Sequence, residues 1–123
     1  IEYLGYVDDV RELLNKCKFY VLPSYREGTP RSVLEAMSIG RPIITTNTTG
    51  CRETVVHGTN GLLVPIKDKV ALTEAIKTML EFDDDKINEM AKESIKIVRE
   101  KYDVSKVNQN IINIIEYKSS YAE

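Results

Sequence analysis

Glu27 and Glu35 stand eight positions apart in the run Glu-Gly-Thr-Pro-Arg-Ser-Val-Leu-Glu. Carboxylates so placed around a helix start can grip hydroxyl groups on either side of an anion. Thr29 can cap a helix with Pro30 at its first position, where a missing N–H costs nothing. The free backbone N–H groups and positive dipole end of that helix suit an anion such as a diphosphate. Glu35, about 7 Å along the axis from the helix start, could accept hydrogen bonds from vicinal sugar hydroxyls. Glu27, before the helix, could reach a second hydroxylated ring beyond the phosphate. The plainer alternative is that most helix starts in α/β units bind nothing. Glu35 would then pair with Arg31 on the surface for only about 0.3–0.5 kcal/mol.

The flanking elements decide where these carboxylates sit. Residues 19–22 form a β-branched and aromatic run ended by Pro23 and Ser24, and Gly40 ends the helix that carries Val33, Leu34 and Met37. Residues 42–46 form the next apolar run. Strand, loop, helix, strand is the unit of a parallel sheet, whose ligands bind at the carboxyl ends of its strands. Residues 1–4 read as an earlier strand ended by Gly5. Asp8 or Asp9 can cap a helix to about Lys16, with Val10, Leu13, Leu14 and Cys17 on one face. After residues 47–50 a short helix is predicted from Arg52 to Val56, closed by His57 and Gly58. Asn60-Gly61 is a turn signal ahead of a strand at 62–64. The rest reads as helical. Asp68 caps a segment with Val70, Leu72, Ile76, Met79 and Leu80. A second spans 85–101, capped by Asp85, with Ile87, Met90, Ile95 and Val98. A third spans 104–117, with Val107, Ile111, Ile114 and Ile115.

Composition excludes several classes. One hundred and twenty-three residues, 42% hydrophobic and 29% charged, suit one globular domain. A net charge of −2 gives no basic field for a nucleic-acid backbone. No apolar run approaches the ~20 residues that span a bilayer, and no signal-peptide pattern opens the chain. Cys17, on an apolar helical face, and Cys51, at a loop edge, lack companions with metal spacing and read as reduced packing residues. Asp83-Asp84-Asp85 joins two helices with no strand before it, so it reads as a solvated cluster rather than a metal site. His57, the sole histidine, reads as a loop residue. The chain opens directly in a strand pattern without Met, as if cut from something longer.

The ordered set of segments resembles a known family. Leu22-Pro-Ser24, the run from Glu27 through Ala36-Met-Ser-Ile-Gly-Arg-Pro-Ile-Ile-Thr-Thr46, Thr49-Gly-Cys-Arg-Glu-Thr-Val55, Gly58-Thr-Asn-Gly-Leu-Leu-Val-Pro65 and the opening Tyr3-Leu-Gly-Tyr-Val7 are similar to the carboxy-terminal domain of retaining glycosyltransferases of family 4, which have the GT-B fold. The Cys-Arg-Glu-Thr form of the turn resembles bacterial enzymes of capsular, exopolysaccharide or lipid-linked oligosaccharide assembly.

The resemblance implies an α/β fold: a partial Rossmann-like parallel sheet of about three to four strands with flanking helices and a helical tail. It makes residues 1–123 the second part of a donor-binding domain, with 104–118 a helix that in the family crosses to an amino-terminal domain. It implies that Glu35 binds the ribose hydroxyls of a nucleoside diphosphate sugar, and that Glu27 contacts the transferred sugar near the reacting centre as the catalytic residue. Gly28 belongs to the same run, backbone amides around Thr29 to Ser32, a span that includes Pro30 and Arg31, hold the diphosphate, Val33 and Leu34 lie by the nucleoside, and the turn from Gly50 to Glu53 shapes the rim. The implied donor is a UDP-sugar, with no metal or other cofactor. The implied acceptor is a polysaccharide or a lipid-linked chain, gripped by the amino-terminal domain in the cytoplasm at the inner face of the plasma membrane, with peripheral membrane association. In the family's strand order 3-2-1-4-5-6, residues 1–4 and 19–22 would be the third and fourth strands. The chain alone would then be inactive and would self-associate through an exposed strand edge. The rival readings are a nucleotide-binding or interaction module without catalysis, and an unrelated α/β domain with surface glutamates.

Overall fold

The computed structural model describes residues 10–24 and 31–102. The expected strand at 1–4, the caps Asp8 and Asp9, the site residues Glu27, Gly28, Thr29 and Pro30, and the helix at 104–117 lie outside the described residues. Helix α1 covers Val10–Lys16, strand β1 Tyr20–Leu22, helix α2 Arg31–Ser38, strand β2 Ile43–Thr46, strand β3 Gly61–Val64, helix α3 Lys69–Glu81 and helix α4 Asp84–Lys101. The three strands form one parallel sheet in the order β1-β2-β3. This is the α/β architecture with flanking helices that the sequence predicts.

Strand residues alternate between two faces, and each face has its own apolar cluster. On one face Ile43 packs with Tyr20, Leu22 and Leu63 beneath Val33, Ala36 and Met37 of α2, Leu14 of α1 and Val98 of α4. On the other, Ile44, Leu62 and Val64 pack with Val21 beneath Ala75 and Met79 of α3 and Met90 near the start of α4. Helix α4 therefore contributes to both faces. No helix among the described residues is long and apolar enough to cross a membrane.

The end of α2 follows from one residue. Gly40 adopts φ 80°, the left-handed region where a side chain is strained. Its N–H donates to the Met37 carbonyl at 3.0 Å and that of Arg41 to the Ala36 carbonyl at 3.0 Å. This paired closure satisfies carbonyls at the helix end and turns the chain into β2.

Several expectations need correcting. The short helix from Arg52 to Val56 does not form; residues 51–54 are successive turns. Asn60 explains this, because its side-chain oxygen takes the Val56 N–H at 2.8 Å and its amide donates to the Thr54 carbonyl at 3.1 Å. Those backbone groups are diverted from a helix, and two β-branched valines give it little support. Asp83, not Asp85, caps α4, accepting from the Lys86 N–H at 2.8 Å. Asp84 and Asp85 occupy the first turn, where negative charge suits the dipole. Val70 and Leu80, predicted on the packed side of α3, are 73% and 59% exposed. Only the stripe containing Ala75 and Met79 reaches the sheet. Cys17 lies beyond the end of α1 and is exposed rather than packed, its thiol donating to the Leu13 carbonyl at 3.0 Å. Cys51 is fully buried.

Candidate functional site at the carboxyl ends of the strands

The carboxyl ends of β1, β2 and β3 meet in a cleft of about 470 Å³. Pro23 and Ser24 line it just after β1, Thr46 from β2, and Val64 and Pro65 from the end of β3; Lys67 and Asp68, before α3, and Lys69 and Leu72 of α3 close it. The walls are mostly apolar and the rim is charged. Lys67 has φ 57°, an unusual conformation for a lysine, at the turn that delivers the chain to Asp68. The Asp68 carboxylate accepts from the Ala71 N–H at 2.8 Å and caps α3.

Helix α2 flanks the same rim from the opposite face of the sheet. Its orientation is set by Val33, Ala36 and Met37, all fully buried at three- and four-residue spacing. That stripe leaves Arg31 exposed and Ser32 and Glu35 partly exposed. Glu35 thus sits in the second described turn of a helix that follows β1, in the arrangement the strand-loop-helix unit requires. The Val33 side chain is committed to the core, as its place on the apolar side of the helix predicts, whereas Leu34 is half-buried at the cluster edge.

The turn from Gly50 to Glu53 is well anchored. The Thr54 hydroxyl donates to the Cys51 carbonyl at 2.6 Å, and the Arg52 N–H to the Thr48 carbonyl at 2.8 Å. Lys101 of α4 donates to the Glu53 carbonyl. Beside it the buried Tyr102 hydroxyl lacks a hydrogen-bond partner among the described residues. Burial, and secondarily the Glu53 carboxylate, push its phenol above the usual value. His57 is an exposed loop residue whose Nδ1 accepts from the Leu63 N–H at 3.0 Å. Among the described residues no group of three or more His, Cys, Asp or Glu could hold a metal ion.

The sequence reading missed Ser24, Thr46 and Lys67 as rim residues. The signal available was the pair Thr45-Thr46 at the carboxyl end of a predicted strand, where polar residues otherwise need a reason to be buried.

The sequence pattern of the family described as Glycosyl transferases group 1 matches residues 1–81. The chain belongs to this family. Among its relatives is the N,N'-diacetylbacillosaminyl-diphospho-undecaprenol alpha-1,3-N-acetylgalactosaminyltransferase of Campylobacter jejuni, 42% identical over 81 residues, which are 66% of this chain and 22% of that protein. The capsular polysaccharide biosynthesis glycosyltransferase CapM of Staphylococcus aureus is 35% identical over 77 residues, 63% of this chain and 20% of that protein. The chain thus spans about a fifth of the length of these relatives. Among solved structures, Anabaena HepE in complex with UDP-glucose superposes with a TM-score of 0.75 at 30% identity, covering 93% of this chain and 31% of that one. The glycosyltransferase group 1 chain therefore matches part of its GT-B structural neighbours with its three-stranded parallel α/β fold.

Proposed function

We propose that this chain is the donor-binding portion of a longer retaining glycosyltransferase of family 4 type, acting on a UDP-sugar. The observation that carries the reading is Glu35. It rides on a helix locked by Val33, Ala36 and Met37 directly after the strand whose end lines the cleft, in a chain 30% identical to a protein solved with UDP-glucose.

In this reading Glu35 accepts hydrogen bonds from the ribose hydroxyls. Glu27 contacts the transferred sugar, and backbone amides from Thr29 to Ser32 hold the diphosphate. An acceptor oxygen attacks the anomeric carbon on the face that the diphosphate leaves. The carbon–oxygen bond to the diphosphate breaks, and a donor phosphate oxygen takes the acceptor proton. The protein supplies orientation and stabilises charge on the departing diphosphate, with no nucleophilic side chain and no metal. The acceptor is a lipid-linked or growing polysaccharide chain at the inner face of the membrane, bound by a further domain. The names of the relatives, one acting on a diphospho-undecaprenol sugar and one in capsule assembly, support that class.

Saturation-transfer NMR on the full-length protein with a panel of nucleoside diphosphate sugars tests the reading. Contacts to the ribose and sugar protons of one UDP-sugar, with transfer of that sugar to a lipid-linked acceptor, are expected. Binding without transfer to any acceptor would favour a non-catalytic nucleotide module, and no binding at all would sink both.

A further inference from the structure

We propose that Thr46 is a positioning residue that fixes where the chain leading to Glu27 leaves the sheet, an inference that rests on the donor-site reading above. The β1–β2 ladder pairs Tyr20 with Ile43, Val21 with Ile44 and Leu22 with Thr45, and ends there. A further rung would carry the Ser24 N–H to the Thr46 carbonyl, but that carbonyl accepts the Thr48 N–H at 2.9 Å as the chain turns after β2. Without a substitute the last tether would be Leu22, five residues before Glu27.

Thr46 supplies the substitute with its side chain. Its Oγ1 accepts the Ser24 N–H at 3.1 Å and donates to the Ser24 carbonyl at 2.6 Å. A hydroxyl can do both at once, because it carries one donor hydrogen and two acceptor lone pairs. The result imitates one further rung of the ladder. Thr45, on the other face, donates from its Oγ1 to the Leu22 carbonyl at 2.8 Å and braces the last regular pair. Thr46 is 4% exposed and Thr45 is fully buried, so these hydroxyls are withdrawn from solvent competition. A β-branched residue also holds χ1 in few rotamers, which keeps the hydroxyl aimed. Thr46 and Ser24 both line the cleft, so the clip forms part of its wall. The Thr46 hydroxyl is spent on the backbone and is not offered to a ligand. Its effect on the reaction runs through Glu27.

Helix α2 is held separately, by Val33, Ala36 and Met37 in the core. Loss of the clip should therefore disturb Glu27 while leaving Glu35, and with it nucleotide binding, nearly intact. Thr46→Val keeps the shape and removes both hydrogen bonds. In the full-length enzyme it should lower kcat by about ten- to a hundredfold, the scale of small misplacements at a reacting centre. UDP affinity should change less than about threefold, and Thr46→Ser should recover most of the turnover. Hydrogen exchange on the unaltered protein gives a reading that needs no variant. The Ser24 amide should be protected although it lies past the end of the ladder.

A Ser24 amide that exchanges as fast as free loop overturns the proposal. So does a Thr46→Val enzyme with full kcat beside a Glu27→Gln enzyme that has lost it, and that result spares the donor-site reading. Full kcat in Glu27→Gln itself would instead overturn the reading on which the clip depends.

Discussion

Gly61 approaches Ile43 so closely that a Cβ on Gly61 would stand 1.8 Å from the Ile43 carbonyl oxygen. The contact is backbone against backbone, at the first rung between β2 and β3, so no side chain can swing aside to relieve it. Gly61→Ala should thus force the two strands apart where the β3 ladder begins. The expected loss is about 1–3 kcal/mol or more, the range for overpacked interiors. An unchanged midpoint in chemical denaturation would show that the strand shifts freely.

The buried Asn60 holds the loop between β2 and β3, and Ser94 ties α4 to the same place. The Ser94 hydroxyl donates to the Arg41 carbonyl at 2.8 Å. Asn60→Ala would orphan the Val56 N–H and the Thr54 carbonyl, and should cost about 1–3 kcal/mol or more. Ser94→Ala removes one donor and should cost about 1 kcal/mol. Denaturation midpoints in the reverse order would show that the loop is not held by Asn60.

Glu35 is predicted to matter for ligand rather than for folding. In the full-length enzyme Glu35→Ala should weaken donor binding by about 1.5–3 kcal/mol, the worth of hydrogen bonds to a charged group. The core stripe of α2 is untouched, so the thermal midpoint should stay close to that of the parent. Calorimetry giving unchanged donor affinity would remove Glu35 from the site.

Tyr102 sets an alkaline limit. Its phenol titrates above its usual pKa, first because it is buried and then because Glu53 is near, so the fold favours the protonated form. The stabilising contribution is complete below the unfolded value near 10 and is lost as pH rises through the higher folded value. Tyr102→Phe should flatten that alkaline decline. At neutral pH it should be neutral or slightly stabilising, because the hydroxyl it removes is buried without a partner among the described residues. A Phe variant whose stability falls with alkali as steeply as the parent's would assign the decline elsewhere.

Much of this was legible in the residues themselves. Period-two and period-3.6 patterns placed β1, α2, β2, β3, α3 and α4 to within a few residues, because alternation and helical stripes are local consequences of burying one face. Gly40 as a helix stop and Asp68 as a cap were also local, since each acts on backbone groups within a few positions. The place of Glu35 on α2 was visible for the same reason. Tertiary structure decided what depends on distant neighbours. Residues 51–54 form turns and no helix follows, because Asn60 takes the Thr54 carbonyl and the Val56 N–H. Val70 and Leu80 are exposed because the sheet meets only one stripe of α3, although their spacing is as apolar as that of Met79. Thr45 and Thr46 look like ordinary strand residues until β1 lies beside them. Only then does the Thr46 hydroxyl, standing in for a carbonyl that Thr48 has taken, become the last rung of the sheet.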